Sequence, residues 1–366
     1  PFSLTEAQHR VITEIQRDMA SSKSMNRLLQ GDVGSGKTVV SMAALLICCE
    51  NGYQSVLMAP TEVLAEQHFH RVRDWAEKIG LEVGLLTGNM RATVKRKLLD
   101  RLSRGDVNIL IGTHALIQEE VTFKRLGLAV IDEQHRFGVS QRAALRNKGA
   151  VPDMLVMTAT PIPRTLAMTV YGDLDVSTID ELPPDRKKIR TKVFFDTQRE
   201  GVYDIIRREA QKGNQIFIVY PLVEDSDALG IRGAICMAKH LQDDIFPRHR
   251  IGLLHGRLKE GEKERIMTDY KAKKISILVA TTVIEVGIDV PEASLMVVEH
   301  AERFGLSQLH QLRGRVGRSD IPSYCILLAS PDCGASGLKR LRVMESTDNG
   351  FRIAEEDLAI RGPGEL

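Results

Sequence analysis

Short apolar runs alternate along the chain with longer stretches whose apolar residues recur at helical spacing. The runs predict buried strands and the amphipathic stretches predict helices. In the first half, strands are expected at Ser55–Ala59, Glu82–Leu86, Asn108–Ile111, Leu128–Ile131 and Met154–Met157, and Leu28-Leu29 ends another. Helices are expected at Val39–Cys49, Glu62–Lys78, Arg91–Arg104 and Val139–Asn147. At Glu181-Leu182-Pro183-Pro184-Asp185-Arg186-Lys187-Lys188 two prolines followed by charge can continue neither element, which places a domain boundary there. The pattern then restarts, with strands at Lys192–Phe195, Gln215–Tyr220, Arg250–Leu254, Ile275–Ala280, Ser294–Val298 and Tyr324–Leu328. Helices are expected between them at Glu200–Gln211, Ile231–Ile245, Glu262–Lys271 and Ser307–Arg313.

The spacing predicts an α/β fold in two domains, each a mostly parallel sheet with helices on both faces. Their bounds are 1–183 and 184–333. The remaining 334–366 reads as two helical pieces joined at Thr347-Asp348-Asn349-Gly350, a separate helical element. A chain of 366 residues exceeds what one hydrophobic core usually serves, in keeping with that division. Two α/β domains carrying one nucleotide motif suggest a cleft between them.

Charge sharpens the picture only by what it excludes. The net charge of +2 gives no overall attraction to nucleic acid, so any basic surface must come from local arrangement of the 50 Lys and Arg. Cys48, Cys49, Cys236, Cys325 and Cys333 show no C-x-x-C spacing, which disfavours zinc and reads as small buried hydrophobes in a reducing cytoplasm. The longest apolar run, Val39–Cys49, is too short for a bilayer, and no secretory signal opens the chain. A start at Pro1 and a stop in a glycine-rich stretch lead us to expect a piece of something larger.

The chemistry concentrates first in Gly31-Asp32-Val33-Gly34-Ser35-Gly36-Lys37-Thr38, which fits G-x-x-x-x-G-K-[ST] between a strand and a helix. Glycines let backbone N–H groups turn toward phosphate oxygens, and the helix N-terminus adds partial positive charge. Lys37 is expected to reach the β- and γ-phosphates of ATP, and the Thr38 hydroxyl to sit on Mg²⁺. Asp132-Glu133-Gln134-His135 follows an expected strand end. There Asp132 can hold Mg²⁺, Glu133 can activate the attacking water, and His135 can relay the γ-phosphate state.

A second concentration is Gln308-Leu309-His310-Gln311-Leu312-Arg313-Gly314-Arg315-Val316-Gly317-Arg318. Arg315 and Arg318 lie three apart, so on a helix they face the same way and could both reach a γ-phosphate. Gly314 and Gly317 weaken a helix and suggest close approach of backbone to a ligand or a neighbour. Thr158 and Thr160, and likewise Thr281 and Thr282 with Gly287-Ile288-Asp289, follow strand ends. Thr61 after Pro60 reads either as a helix N-cap or as a phosphate contact, and Thr113-His114 and His255-Gly256-Arg257 share that ambiguity. Aromatics form no spaced row, so nucleic acid would be gripped by its backbone rather than by stacking.

Together GDVGSGKT, PTEVLAEQ, GTHAL, DEQH, TATP, LLHGRLK, ATTVIEVGIDVP and QLHQLRGRVGR resemble, in order, the motifs of superfamily-two helicase motors. DEQH, the run MTATPIPRTLAMTVYGDLDVSTIDELPP, AERFGLSQLHQLRGRVGR and the closing GFRIAEEDLAIRGPGEL narrow the resemblance to the RecG family of branched-DNA translocases. It implies two RecA-like domains, ATP with Mg²⁺, and movement on duplex DNA that remodels stalled forks and Holliday junctions, by a monomer in the bacterial cytoplasm. By position it implies that Gln8 reads adenine with Phe2 near the base, and that Gly287 and Asp289 belong to the nucleotide site. It also implies that Gln311 serves coupling to DNA, as do Arg340 and Arg361 at the start of a translocation hairpin. A wedge domain before Pro1 and a loop beyond Leu366 would belong to such a protein. The rival readings are a transcription-repair coupling translocase like Mfd, an RNA helicase, and a nucleotide-gated scaffold without turnover.

Overall fold

Alternate residues of one strand enter opposite cores: Leu28 packs on one face of the first sheet and Leu29 on the other, and Val56, Leu57 and Met58 alternate likewise. A strand buried on both faces is the product of helices covering both, which is why these strands read as unbroken apolar runs. The computed structural model describes residues 3–133, 137, 139–149, 151–158, 174–183, 188–221, 227–281, 290, 292–317 and 321–362. The chain divides into two compact units, Pro1–Pro183 and Pro184–Leu366.

In the first unit the strands are β1 (Asn26–Gly31), β2 (Gln54–Met58), β3 (Val83–Leu86), β4 (Ile109–Gly112), β5 (Leu126–Ile131), β6 (Asp153–Thr158) and β7 (Asp175–Ile179). They pair in the order β3-β4-β2-β5-β6-β1-β7, and every pair is parallel. Helices α1 (Glu6–Met19), α2 (Lys37–Glu50) and α3 (Glu62–Ala76) send Val11, Leu45 and Val72 into one face. From α4 (Ala92–Arg104) and α5 (Val139–Arg146), Leu102 and Leu145 fill the other.

The second unit repeats the plan with β8 (Arg190–Phe195), β9 (Gln215–Tyr220), β10 (Ile251–Leu254), β11 (Ile277–Thr281), β12 (Ala293–Val298) and β13 (Tyr324–Ala329). Their order β10-β11-β9-β12-β13-β8 matches that of the first unit without its last strand, again parallel throughout. Helices α6 (Arg199–Gln211) and α7 (Asp227–His240) cover one face. On the other lie α8 (Glu260–Lys271), α9 (Leu306–Arg313), α10 (Ala335–Ser346) and α11 (Gly350–Arg361).

Three expectations change. Helix α1 and strand β7 were not foreseen; α1 shows only a thin apolar stripe, Ala7, Val11 and Ile15, and lives by what it packs against. The C-terminal helices, expected as a separate element, bury Leu341, Met344 and Ile353 in the core of the second unit. Cysteines 48, 49 and 325 are buried and free, but Cys236 is exposed on the solvent side of α7. Among the described residues no helix is long and apolar enough to cross a membrane.

Candidate nucleotide and nucleic-acid sites

In a parallel sheet all strands deliver their C-terminal ends to one edge, where ligands bind. At the end of β1, Gly34 and Gly36 take φ of 78° and 89°, the left-handed region open to glycine, and α2 begins at Lys37. A β-carbon on Gly36 would meet the Gln8 Nε2 at 2.2 Å. Gln8 is buried, donates from Nε2 to the Ser35 carbonyl at 2.8 Å, and closes a capping box on α1 with Thr5. The residue expected at adenine thus braces the glycine loop between β1 and α2. Lys37 Nζ donates to the Gly31 and Asp32 carbonyls at 2.7 and 2.8 Å, and the Asp32 carboxylate accepts from the Val33 N–H at 2.6 Å. The Ser35 hydroxyl is buried and has no hydrogen-bond partner among the described residues. Val33 and Thr38 are half-buried.

Asp132 lies just past β5, its N–H bonded to the Met58 carbonyl at 2.9 Å. Its Oδ2 meets Nε2 of His68 at 2.9 Å, and its Oδ1 accepts from the Glu133 N–H at 3.0 Å. Burial pushes the Asp132 carboxyl up. The His68 bond and charge, then Lys37, then the Glu133 N–H outweigh it and hold the group below the usual carboxylate range. Lys37 thus acts on Asp132 through its charge, although the two stand far apart in sequence. Glu133 has φ of 54°, left-handed for a residue with a side chain, a strain of about 1–3 kcal/mol sustained by its surroundings. His68 carried no signal in the sequence, where it is one polar residue on an amphipathic helix.

Further along the same edge, Thr158 is buried and sits opposite Gln30 in the β1–β6 register. Thr61 accepts from the Leu64 N–H at 3.3 Å, so the N-cap reading is realised. Thr113 follows β4 and Thr281 ends β11, the corresponding strand of the second unit. Both hydroxyls are buried without a hydrogen-bond partner among the described residues, as is Nδ1 of His255 after β10. His114 is exposed beside Thr113.

The arginine segment departs from expectation. Helix α9 ends at Arg313 with Gly314 as its C-cap, so half-buried Arg315 lies in the turn that follows and not on a helix face. Gly317 then turns the chain away: its φ is 76°, and a β-carbon there would meet Ile189 at 2.8 Å. The close neighbour inferred from the glycines is this side chain. Gln311 is buried on α9. Arg313, unremarked in the sequence, is a buried cation that donates to the Met344 and Thr347 carbonyls at 3.0 and 2.8 Å and meets Nδ1 of His310 at 2.9 Å. Arg340 donates to the Glu302 carbonyl at 2.9 Å. Arg361 closes α11; its side chain, and the sites proposed at Phe2, Gln134, His135, Thr160, Thr282, Gly287, Asp289 and Arg318, lie outside the described residues.

Comparison with known families agrees with both units. The family model described as DEAD/DEAH box helicase matches residues 5–169, and that described as Helicase conserved C-terminal domain matches residues 197–320. A protein of Synechocystis sp. named ATP-dependent DNA helicase RecG is 56% identical over 366 residues, covering 100% of this chain and 44% of that relative. Its namesake in Escherichia coli O157:H7 is 49% identical over 371 residues, covering 100% of this chain and 53% of the relative. The chain spans about half the length of the curated relatives it matches. A solved structure described as RecG bound to a three-way DNA junction superposes with a TM-score of 0.86 at 50% identity, covering 100% of this chain and 48% of that one. The DUF1998 helicase MrfA, at 17% identity and a TM-score of 0.70 over 94% of this chain and 51% of its own, shares the fold. Both units have the RecA-like helicase fold, and with half its residues identical to these relatives along its full length, the chain belongs to the RecG family.

Proposed function

We propose that this chain is the ATP-hydrolysing motor of a translocase that moves on duplex DNA and remodels branched DNA, stalled forks and Holliday junctions among it. The observation that carries the reading is that the glycine loop with Lys37 after β1 and Asp132 after β5 both lie at the C-terminal edge of one parallel sheet, with the strained Glu133 directly after. The loop fits a triphosphate. Left-handed Gly34 and Gly36 shape it, the buried Ser35 hydroxyl awaits a partner, and Lys37 rests on loop carbonyls that a phosphate oxygen can replace. The Asp132 carboxylate and Thr38 hydroxyl are hard oxygen donors, the kind Mg²⁺ takes alongside phosphates. When bound, Mg²⁺ supplies charge neutralisation for the β- and γ-phosphates.

In this reading Lys37 holds the phosphates, Glu133 takes a proton from the attacking water, and Gln134 and His135 report the γ-phosphate. Gln8 with Phe2 selects adenine, and Gly287 and Asp289 complete the nucleotide site. The second unit's Arg315 and Arg318 stabilise the charge of the transferred phosphoryl, an effect of about 10³–10⁵ in rate where such arginines act. Thr61, Thr113, His114, Thr158, Thr160, His255, Thr281, Thr282 and Gln311 hold or sense the DNA backbone. Arg340 and Arg361 pass the nucleotide state to the DNA grip. A monomer in the bacterial cytoplasm suffices for this work.

The test is the ATPase rate without nucleic acid, with forked DNA and with an RNA duplex, each at two salt concentrations. Stimulation by forked DNA that fades as salt rises supports a backbone-gripping motor, because counterion release drives such binding. Preference for RNA overturns the substrate. ATP binding without turnover, and a rate unchanged in Glu133→Gln, overturn the mechanism.

A further inference from the structure

The buried contact between His68 and Asp132 does not belong to the roles set out above. His68 lies in the middle of α3 with 4% of its surface exposed, and its Nε2 is 2.9 Å from Asp132 Oδ2. A carboxylate only accepts, so Nε2 carries the hydrogen. The other ring nitrogen, Nδ1, is buried without a hydrogen-bond partner among the described residues. A buried polar atom left unsatisfied is costly, and a histidine that served only to fill space would be replaced with profit by an apolar side chain. The Nε2 bond is therefore what the imidazole is there to make.

Its effect on Asp132 is geometric. The carboxylate is held at one oxygen by His68 on α3 and at the other by the Glu133 backbone N–H. With both oxygens tied, the carboxylate plane is fixed against the end of β5. The Glu133 N–H that makes the second bond belongs to a residue held at φ of 54°. Releasing His68 frees Oδ2, lets the carboxylate rotate, and loosens the bond that helps keep Glu133 in its strained conformation.

We infer that His68 is a positioning residue that orients the Asp132 carboxylate for a divalent cation. The inference rests on the nucleotide-site reading. Hydrogen-bonded partners of metal-holding groups contribute about 10–100-fold to metal affinity or activity, which sets the size of effect expected. The reach is specific: a Gln amide extends to the position of Nε2, whereas an Asn amide stops at that of Nδ1.

The experiment measures Mn²⁺ affinity by electron paramagnetic resonance in the presence of ADP, for the unsubstituted chain and for His68→Gln, His68→Asn and His68→Ala. ADP affinity in EDTA and thermal unfolding are measured beside it. We expect Mn²⁺ affinity to fall about 10–100-fold in the Asn and Ala variants and to recover in Gln, with ADP affinity in EDTA unchanged. Equal Mn²⁺ affinity in all four proteins overturns the inference, and so does a loss in His68→Gln as large as that in His68→Asn. If His68→Ala fails to fold, the comparison of Gln with Asn decides alone. Absence of ADP-dependent Mn²⁺ binding in the unsubstituted chain overturns the nucleotide-site reading itself, and this inference with it.

Discussion

The Arg313 guanidinium donates to the Thr347 carbonyl at 2.8 Å, joining the end of the arginine-bearing helix α9 to the turn between α10 and α11. With its bond to the Met344 carbonyl, this buried cation caps the C-terminus of α10, where carbonyls carry partial negative charge. Truncating it removes the donor that those carbonyls share with Nδ1 of His310 in a dry interior. Arg313→Ala is expected to cost about 1–3 kcal/mol, the range for leaving a buried polar group unsatisfied, and Arg313→Lys to restore only part, because lysine lacks the planar fork. Thermal unfolding measures the loss. Faster amide exchange at residues 344–352 in the variants would locate it at the helix junction.

Gly36 lies against Gln8 in the glycine loop between β1 and α2. A β-carbon would sit 2.2 Å from the Gln8 amide nitrogen on a backbone already at φ of 89°, so Gly36→Ala meets both a clash and backbone strain. The substitution is expected to weaken ATP binding at least about tenfold, equivalent to about 1.4 kcal/mol, while leaving the helices folded. Adding Gln8→Ala relieves the clash and leaves the strain. Titration with a fluorescent nucleotide should show no recovery in the double variant, because Gln8→Ala also removes the adenine contact proposed above and the brace on the Ser35 carbonyl.

Helix α1 is held in place by a charge cluster around the buried Arg27. Arg27 on β1 bonds Asp18 with Nε at 2.7 Å and Ser177 on β7 with NH1 at 2.8 Å, and Glu14 lies 3.6 Å away. Removing the cation leaves two partly exposed carboxylates and Ser177 without their shared donor. Arg27→Ala should destabilise the first unit by about 1–3 kcal/mol. Because α1 also carries Gln8, nucleotide affinity should fall at temperatures where the core of the first unit is still folded. Denaturant unfolding and nucleotide titration on the same variant check both.

Glu209 supplies a pH dependence. Burial raises its carboxyl, but bonds from Lys212 at 2.6 Å, Asn214 at 2.7 Å and Ser294 at 3.3 Å outweigh this and hold it below the usual range. A group depressed in the folded state stabilises above its unfolded value, about 4.3 for Glu, and that contribution is lost as pH falls through the folded value. The difference in Tm between the chain and Glu209→Gln should be constant from pH 8 to about 5 and should shrink below about 4. A gap that widened in acid would mean that Glu209 is not the group responsible.

Most strands, the glycine loop between β1 and α2, the strand end before Asp132 and the split after Pro183 could be read from the sequence, because each is a local pattern. Burial on both faces makes a strand apolar throughout, and Gly34, Gly36 and Lys37 act within one loop. Helix α1 and strand β7 escaped because each is stabilised by distant partners: Arg27 to Asp18 and Ser177, and Arg10 to Asp180 at 2.9 Å. The arginine segment was misjudged as well. Spacing alone put Arg315 on a helix, but the helix stops at Arg313 with Gly314 as its C-cap and a left-handed Gly317 follows. His68, Arg313 and Gln8 acquire their partners only when strand order is set, since His68 meets Asp132 across 64 positions and Arg313 meets Thr347 across 34. Local chemistry is written in neighbouring residues, whereas the pairing of buried polar groups depends on which strand lies beside which, and that is decided by the tertiary structure.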